Sequence, residues 1–116
     1  MARRMNPSLM FELKKYHGES YKEFIAFKKD FIVNMISETL QKGMGQGYFR
    51  EDIHVEILAK MRVEQIEMIF NPEIFAPEKY DFAEVHVQLI EHFIYGISTI
   101  KGHKRLNQLR NIHEIN

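Results

Sequence analysis

Apolar residues recur three and four positions apart along most of the chain, which is the period of an amphipathic helix rather than of a strand. Asn6 followed by Pro7 reads as a cap with proline at the first helical position, where a missing N–H costs nothing. A short first helix is expected from Pro7 to about Tyr16, with Leu9, Leu13 and Tyr16 on one side and His17-Gly18 as its end. The second and longest pattern runs from Ser20 to about Lys42. Phe24, Phe27, Phe31 and Met35 form one row and Ile25, Ile32, Ile36 and Leu40 a second, which together make a broad apolar stripe.

KGMGQGYFRED follows, with glycines at 43, 45 and 47. A dinucleotide loop needs G-x-G-x-x-G after a strand and a phosphate loop needs G-K-[ST], and this stretch follows a long helix with neither pattern. It reads as a joint: Gly43 as a left-handed cap, a flexible crossing through Gly45 and Gly47, Phe49 as its hydrophobic plug, and Asp52 capping a third helix to about Phe70. Arg50 is expected to brace the joint through helix-end carbonyls or a nearby acid. The third helix buries Ile53, Ile57, Leu58, Met61, Ile66, Ile69 and Phe70, and Gln65 within that stripe and Arg62 beside it then need partners.

Asn71-Pro72 ends this helix, and EIFAPEKY reads as a loop pinned to the core by Ile74 and Phe75. Asp81 and Glu84 form a D-x-x-E start signal for a fourth helix from Phe82 to Lys101. Its stripe of Phe82, Val85, Leu89, Phe93, Ile97 and Ile100 is widened by His86, Ile90 and Ile94, more apolar surface than one helix needs within its own chain. Gly96 weakens a helix, so a close approach by another helix is its expected reason. Gly102 is the expected end, Ser98 and Thr99 are expected to bond back within the helix, and HKRLNQLRNIHEI forms a last amphipathic piece with Leu106, Leu109 and Ile112. The fold class is therefore all-α, an antiparallel bundle of about five helices in a single domain spanning residues 1–116.

Charge narrows the function. The chain has 16 basic and 16 acidic residues, and residues 51–100 carry three basic against ten acidic, so the middle would repel a nucleic acid. Cysteine is absent, which fits a reducing cytoplasm and removes thiol chemistry. The longest apolar region, VQLIEHFIYGISTI, is interrupted by Gln88, Glu91 and His92, and no membrane span is expected. Glu51-x-x-His54 has the spacing of helical carboxylate metal sites, but it occurs once where two copies are needed. His86 and His92 are six apart and share no helical face. The serines lack a nucleophile-elbow context. No metal, no cofactor and no enzymatic activity is expected.

NPSLMFELKKYH, the joint KGMGQGYFREDIHVEILAKMR, NPEIF and LIEHFIYGISTIKGHKRL together resemble the C-terminal domain of the TetR/AcrR family of bacterial transcriptional regulators. Gly43, Gly47, Phe49, Arg50 and Asp52 match that family's joint, and Tyr95, Gly96, Ile97, Thr99, Lys101 and Gly102 match the end of its dimerisation helix. The resemblance implies a homodimer through the third and fourth helices, with Leu58, Arg62, Ile69, His86, Ile90, Phe93, Ile94 and Ile97 at the interface. It also implies a small hydrophobic effector, and DNA contact only through an N-terminal helix-turn-helix domain that is expected to be missing here. The surplus of aromatic and methionine side chains beside isolated polar groups suggests an effector between Phe27, Phe31 and Met35 of the second helix and Met61 and Gln65 of the third, the alternative being a filled core with no cavity. His92 and Tyr95 would add polar tips. The competing expectation is a free-standing helical dimerisation module without ligand response.

Overall fold

The computed structural model describes Lys15 and residues 18–115, the side chains as far as Asn111. The first expected helix, with its Asn6 cap and Leu9, Leu13 and Tyr16, lies outside the described residues except for Lys15, which is helical. Among the described residues there are four helices and no strand: α1 Gly18–Gly45, α2 Val55–Ile69, α3 Phe82–Ile97 and α4 Ile100–Ile115. The chain is all-α. It divides into two compact units, residues 1–32 and 33–116, and α1 contributes to both.

In the first unit Tyr21, Phe24, Ile25 and Ile32 are half-buried, whereas Phe27 and Phe31 are exposed. In the second unit α2 and α3 pack together. Ile69 at the end of α2 lines a groove with Phe82 and Val85 at the start of α3, while Arg62 lies over the ring of Phe93. These pairings run in opposite senses along the two helices, so the pair is antiparallel. Leu40 of α1 joins Phe93 and Ile97 of α3 as the core, with Ile36, Phe49, Ile53, Val55, Leu58 and Ile94 packed around them.

Four expected boundaries move. Helix α1 passes through Gly43 and ends with Gly47 in the left-handed region at φ 81°. The Tyr48 N–H donates to the Gly43 carbonyl at 2.9 Å and the Gly47 N–H to the Met44 carbonyl at 3.0 Å, a Schellman closure for which glycine at position 47 is the natural residue. Helix α2 begins at Val55, and its N-cap is His54 rather than Asp52: the His54 Nδ1 accepts from the Ile57 N–H at 3.3 Å. Asp81 does stand at the N-cap of α3, but its side chain makes no capping bond.

The fourth expected helix is two. It stops at Ile97, and after an extended Ser98 a new helix starts at Ile100. The chain turns back there, because Glu91 pairs with Arg110 at 3.2 Å and the Tyr95 hydroxyl donates to Asn107 Oδ1 at 2.7 Å. Thr99 caps the new helix: its Oγ1 accepts from the Gly102 N–H at 3.1 Å and its carbonyl from the His103 N–H at 2.8 Å. Gly102 therefore lies inside the first turn of α4 and does not end a helix.

The His54 cap makes a simple prediction. His54→Ala should lower stability by about 0.5 to 1 kcal/mol, and His54→Asp, a stronger N-cap, should match or exceed the parent in a urea melt.

Candidate functional site

The joint and the break between α3 and α4 are built from one another. Phe49 and Ser98 form an isolated antiparallel bridge, in which the Arg50 N–H donates to the Ile97 carbonyl at 2.8 Å and the Thr99 N–H to the Tyr48 carbonyl at 2.9 Å. The Thr99 hydroxyl donates toward the Gly47 carbonyl at 2.7 Å and lies 3.1 Å from the Tyr48 carbonyl. Lys101 Nζ donates to the Gln46 carbonyl at 2.8 Å and stands over the Tyr48 ring. Arg50 donates from NH1 to the Gly96 carbonyl at 2.8 Å and from Nε to Asp52 Oδ1 at 2.9 Å, so it braces the joint through both a helix-end carbonyl and an acid.

Two glycines make the approach possible. A Cβ on Gly43 would overlap the Phe49 ring, and one on Gly102 would overlap the Tyr48 carbonyl. Gly96 contributes its carbonyl to the joint; among the described residues, nothing beyond its own helix backbone and chain neighbours lies within 4 Å of where its Cβ would stand. Ser98 behaves as expected and donates to the Ile94 carbonyl at 2.6 Å, whereas Thr99 bonds across to the joint. The hydrogen bond from Arg50 holds the Asp52 carboxyl below its ordinary pKa. The ion pair therefore contributes above the usual carboxylate range and fades as pH falls through the lowered value.

A second polar feature lies on α2. Arg62 is only 5% exposed, its guanidinium carbon is 5.9 Å from the centre of the Phe93 ring, and NH1 has no acceptor. Burial alone pushes its pKa below the ordinary value, yet a guanidinium remains charged at neutral pH. One turn on, Gln65 Oε1 is buried and has no donor. A buried neutral group left unpaired costs about 1 to 3 kcal/mol and a charged one more, against roughly 0.5 to 2 kcal/mol for the cation–π contact.

The remaining expected ligand residues fall in both units. Phe27 and Phe31 belong to the unit ending at Ile32, and Met35, Met61, Gln65, His92 and Tyr95 to the other. Met35 and Met61 are exposed, as is His92. Tyr95 is engaged with α4 through Asn107 and an edge-on contact to the His103 ring at 5.1 Å. Of the expected interface residues, Arg62, Ile69, Phe93 and Ile97 are buried, Leu58, Ile90 and Ile94 half-buried and His86 exposed.

Two adjoining grooves beside the 71–81 loop had no counterpart among the expected sites. One of about 200 Å³ lies among Ile69, Phe70, Pro72, Phe75, Tyr80 and Phe82, and one of about 410 Å³ among Phe75, Lys79, Tyr80, Glu84, Gln88 and Leu89. Phe75 is half-buried and stands edge-on to Tyr80 of the same loop at 5.3 Å, while Ile74, expected to pin the loop to the core, is exposed. The signal was present in two prolines bracketing an aromatic residue in NPEIFAPEKY.

No protein-family model, no curated protein and no solved structure matches the chain. Among the described residues no three histidine, aspartate or glutamate side chains gather as a metal site, and no helix is long and apolar enough to cross a membrane.

The clasp predicts a graded series in denaturant melts. Gly43→Ala should cost about 1 to 3 kcal/mol, part of it recovered when combined with Phe49→Leu. Gly102→Ala should cost more, because the obstacle is backbone and cannot turn aside. Arg50→Ala should cost on the order of 1 kcal/mol through the lost Gly96 bond.

Proposed function

We propose that this chain is the ligand-sensing and dimerisation domain of a TetR-like bacterial transcriptional regulator, acting in the cytoplasm. The observation that carries the reading is the interlock. Gly43, Gly47, Phe49, Arg50 and Asp52 on one side, and Tyr95, Gly96, Ile97, Thr99, Lys101 and Gly102 on the other, are the positions by which the chain resembles that family; Arg50 bonds to the Gly96 and Ile97 carbonyls, Thr99 to the Gly47 carbonyl, and Lys101 and Gly102 meet the 46–48 backbone, while Tyr95 turns to α4. Residues that match a family pattern in two distant segments and meet in one contact make a stronger case than either segment alone.

Uncovered apolar surface supports the dimer. Seven apolar side chains are buried among the described residues, against twelve large ones that are exposed, including Phe27, Phe31 and Met35 on α1 and Ile57 and Met61 on α2. Phe27, Phe31 and Met35, four residues apart on one side of α1, offer a row available for association or ligand contact. The dimer helices would be α2 and α3, meeting a second copy through Leu58, His86, Ile90 and Ile94 at the rim of the buried Ile69, Phe93 and Ile97. An effector acts on such a dimer only by preferring one arrangement of the subunits. DNA would be contacted through a separate helix-turn-helix domain and not by these 116 residues.

Sedimentation across a concentration series, with a thermal-shift screen of lipophilic compounds, tests this reading. A dimer at micromolar concentration that at least one compound stabilises by several degrees is expected. A monomer at every concentration removes the interface, and a dimer that no compound stabilises leaves a helical dimerisation module instead.

A further inference from the structure

We propose that Arg62 and Gln65 form the polar end of a site for a small apolar molecule carrying one carboxylate. The inference rests on the ligand-sensing reading and specifies the chemistry of its effector. The guanidinium NH1 of Arg62 is enclosed and has no acceptor, and the Oε1 of Gln65, three residues on and so on the same side of α2, is enclosed and has no donor. The Phe93 ring attracts the cation by its face but accepts no hydrogen bond of ordinary strength.

No acid of α2 takes this place. Glu56 pairs with Lys60 at 3.3 Å, and Glu64 and Glu67 are exposed and otherwise engaged. An arginine presents a planar fork that fits a carboxylate. One buried cation matches one negative charge, which favours a carboxylate over a phosphate monoester carrying nearly two. The Gln65 amide, turned end for end, offers its N–H₂ to the second carboxylate oxygen. The apolar body of the molecule would lie along Phe93, Met61 and Ile66. The grooves beside the 71–81 loop are not lined by Arg62 or Gln65, so entry requires side chains to move, and Met61, 43% exposed, stands next to Arg62.

The test uses the full chain with octanoate and benzoate, which distinguish an aliphatic from an aromatic body, each against its neutral amide. One of the acids should bind about ten-fold more tightly than its amide. Arg62→Met should erase that preference while leaving the amide within about two-fold, and should not lower the melting temperature of the unliganded chain. Gln65→Glu, which supplies a carboxylate in place, should raise the unliganded melting temperature and abolish the response to the acid. This second variant keeps the test decisive if Arg62→Met fails to fold. Equal binding of acid and amide in the parent chain overturns the carboxylate while leaving ligand sensing intact. No binding by any of the four overturns the carboxylate too, and ligand sensing then falls only if the lipophilic screen is also silent.

Discussion

The second unit depends on one close approach, the seating of the 46–50 backbone against residues 96–102. Every helix end leaves backbone groups without intrahelical partners, and here three ends meet: the last turns of α1 and α3 and the first turn of α4. The Gly96 and Ile97 carbonyls accept from Arg50, the Gly47 and Tyr48 carbonyls accept from Thr99, and Thr99 in turn caps α4. The ends of α1 and α4 are closed locally, by the Gly47 turn and by Thr99, and the cross bonds tie those closed ends to the end of α3. The missing Cβ atoms of Gly43 and Gly102 are the steric condition for it, and the Phe49 ring carries the contact into the core of Leu40, Phe93 and Ile97.

That core is small for a chain that is 45% hydrophobic. The fold secures its helix ends by hydrogen bonds and leaves many large apolar side chains exposed among the described residues. Arg62 fits the same pattern. A buried guanidinium with an unmet donor weakens an otherwise apolar α2–α3 seam.

The helices were readable because their periodicity is local: the second pattern, Ser20 to Lys42, became Gly18–Gly45, and α2 and α3 began or ended within a few residues of their expected bounds. The joint falls between α1 and α2 where the glycines put it, with Gly47 rather than Gly43 in the left-handed region, and Arg50 bonds both kinds of partner. What local pattern could not show was competition from a distance. Asp52 looks like a cap, but Arg50 two residues earlier claims its carboxylate, and His54 takes the cap. The apolar spacing from Phe82 carries on to Ile100, and Ser98-Thr99 reads equally as a pair bonding back within one helix or as the cap of a new one; at the break the 46–50 backbone bonds to Ile97 and Thr99. Gln65 and Arg62 stood out as polar groups in and beside an apolar stripe. That their inner atoms lack partners is a fact of packing, and it emerges only when Phe93 is in place.

Hydrogen exchange at the clasp tests this account most directly. The Arg50 and Thr99 amides lie outside the helices, so their protection reports the clasp itself. They should exchange as slowly as the amides of Phe93 and Ile97, opening only when the whole second unit unfolds. Fast exchange at Arg50 and Thr99 while α3 stays protected would show that the helices hold without the clasp, and would contradict it.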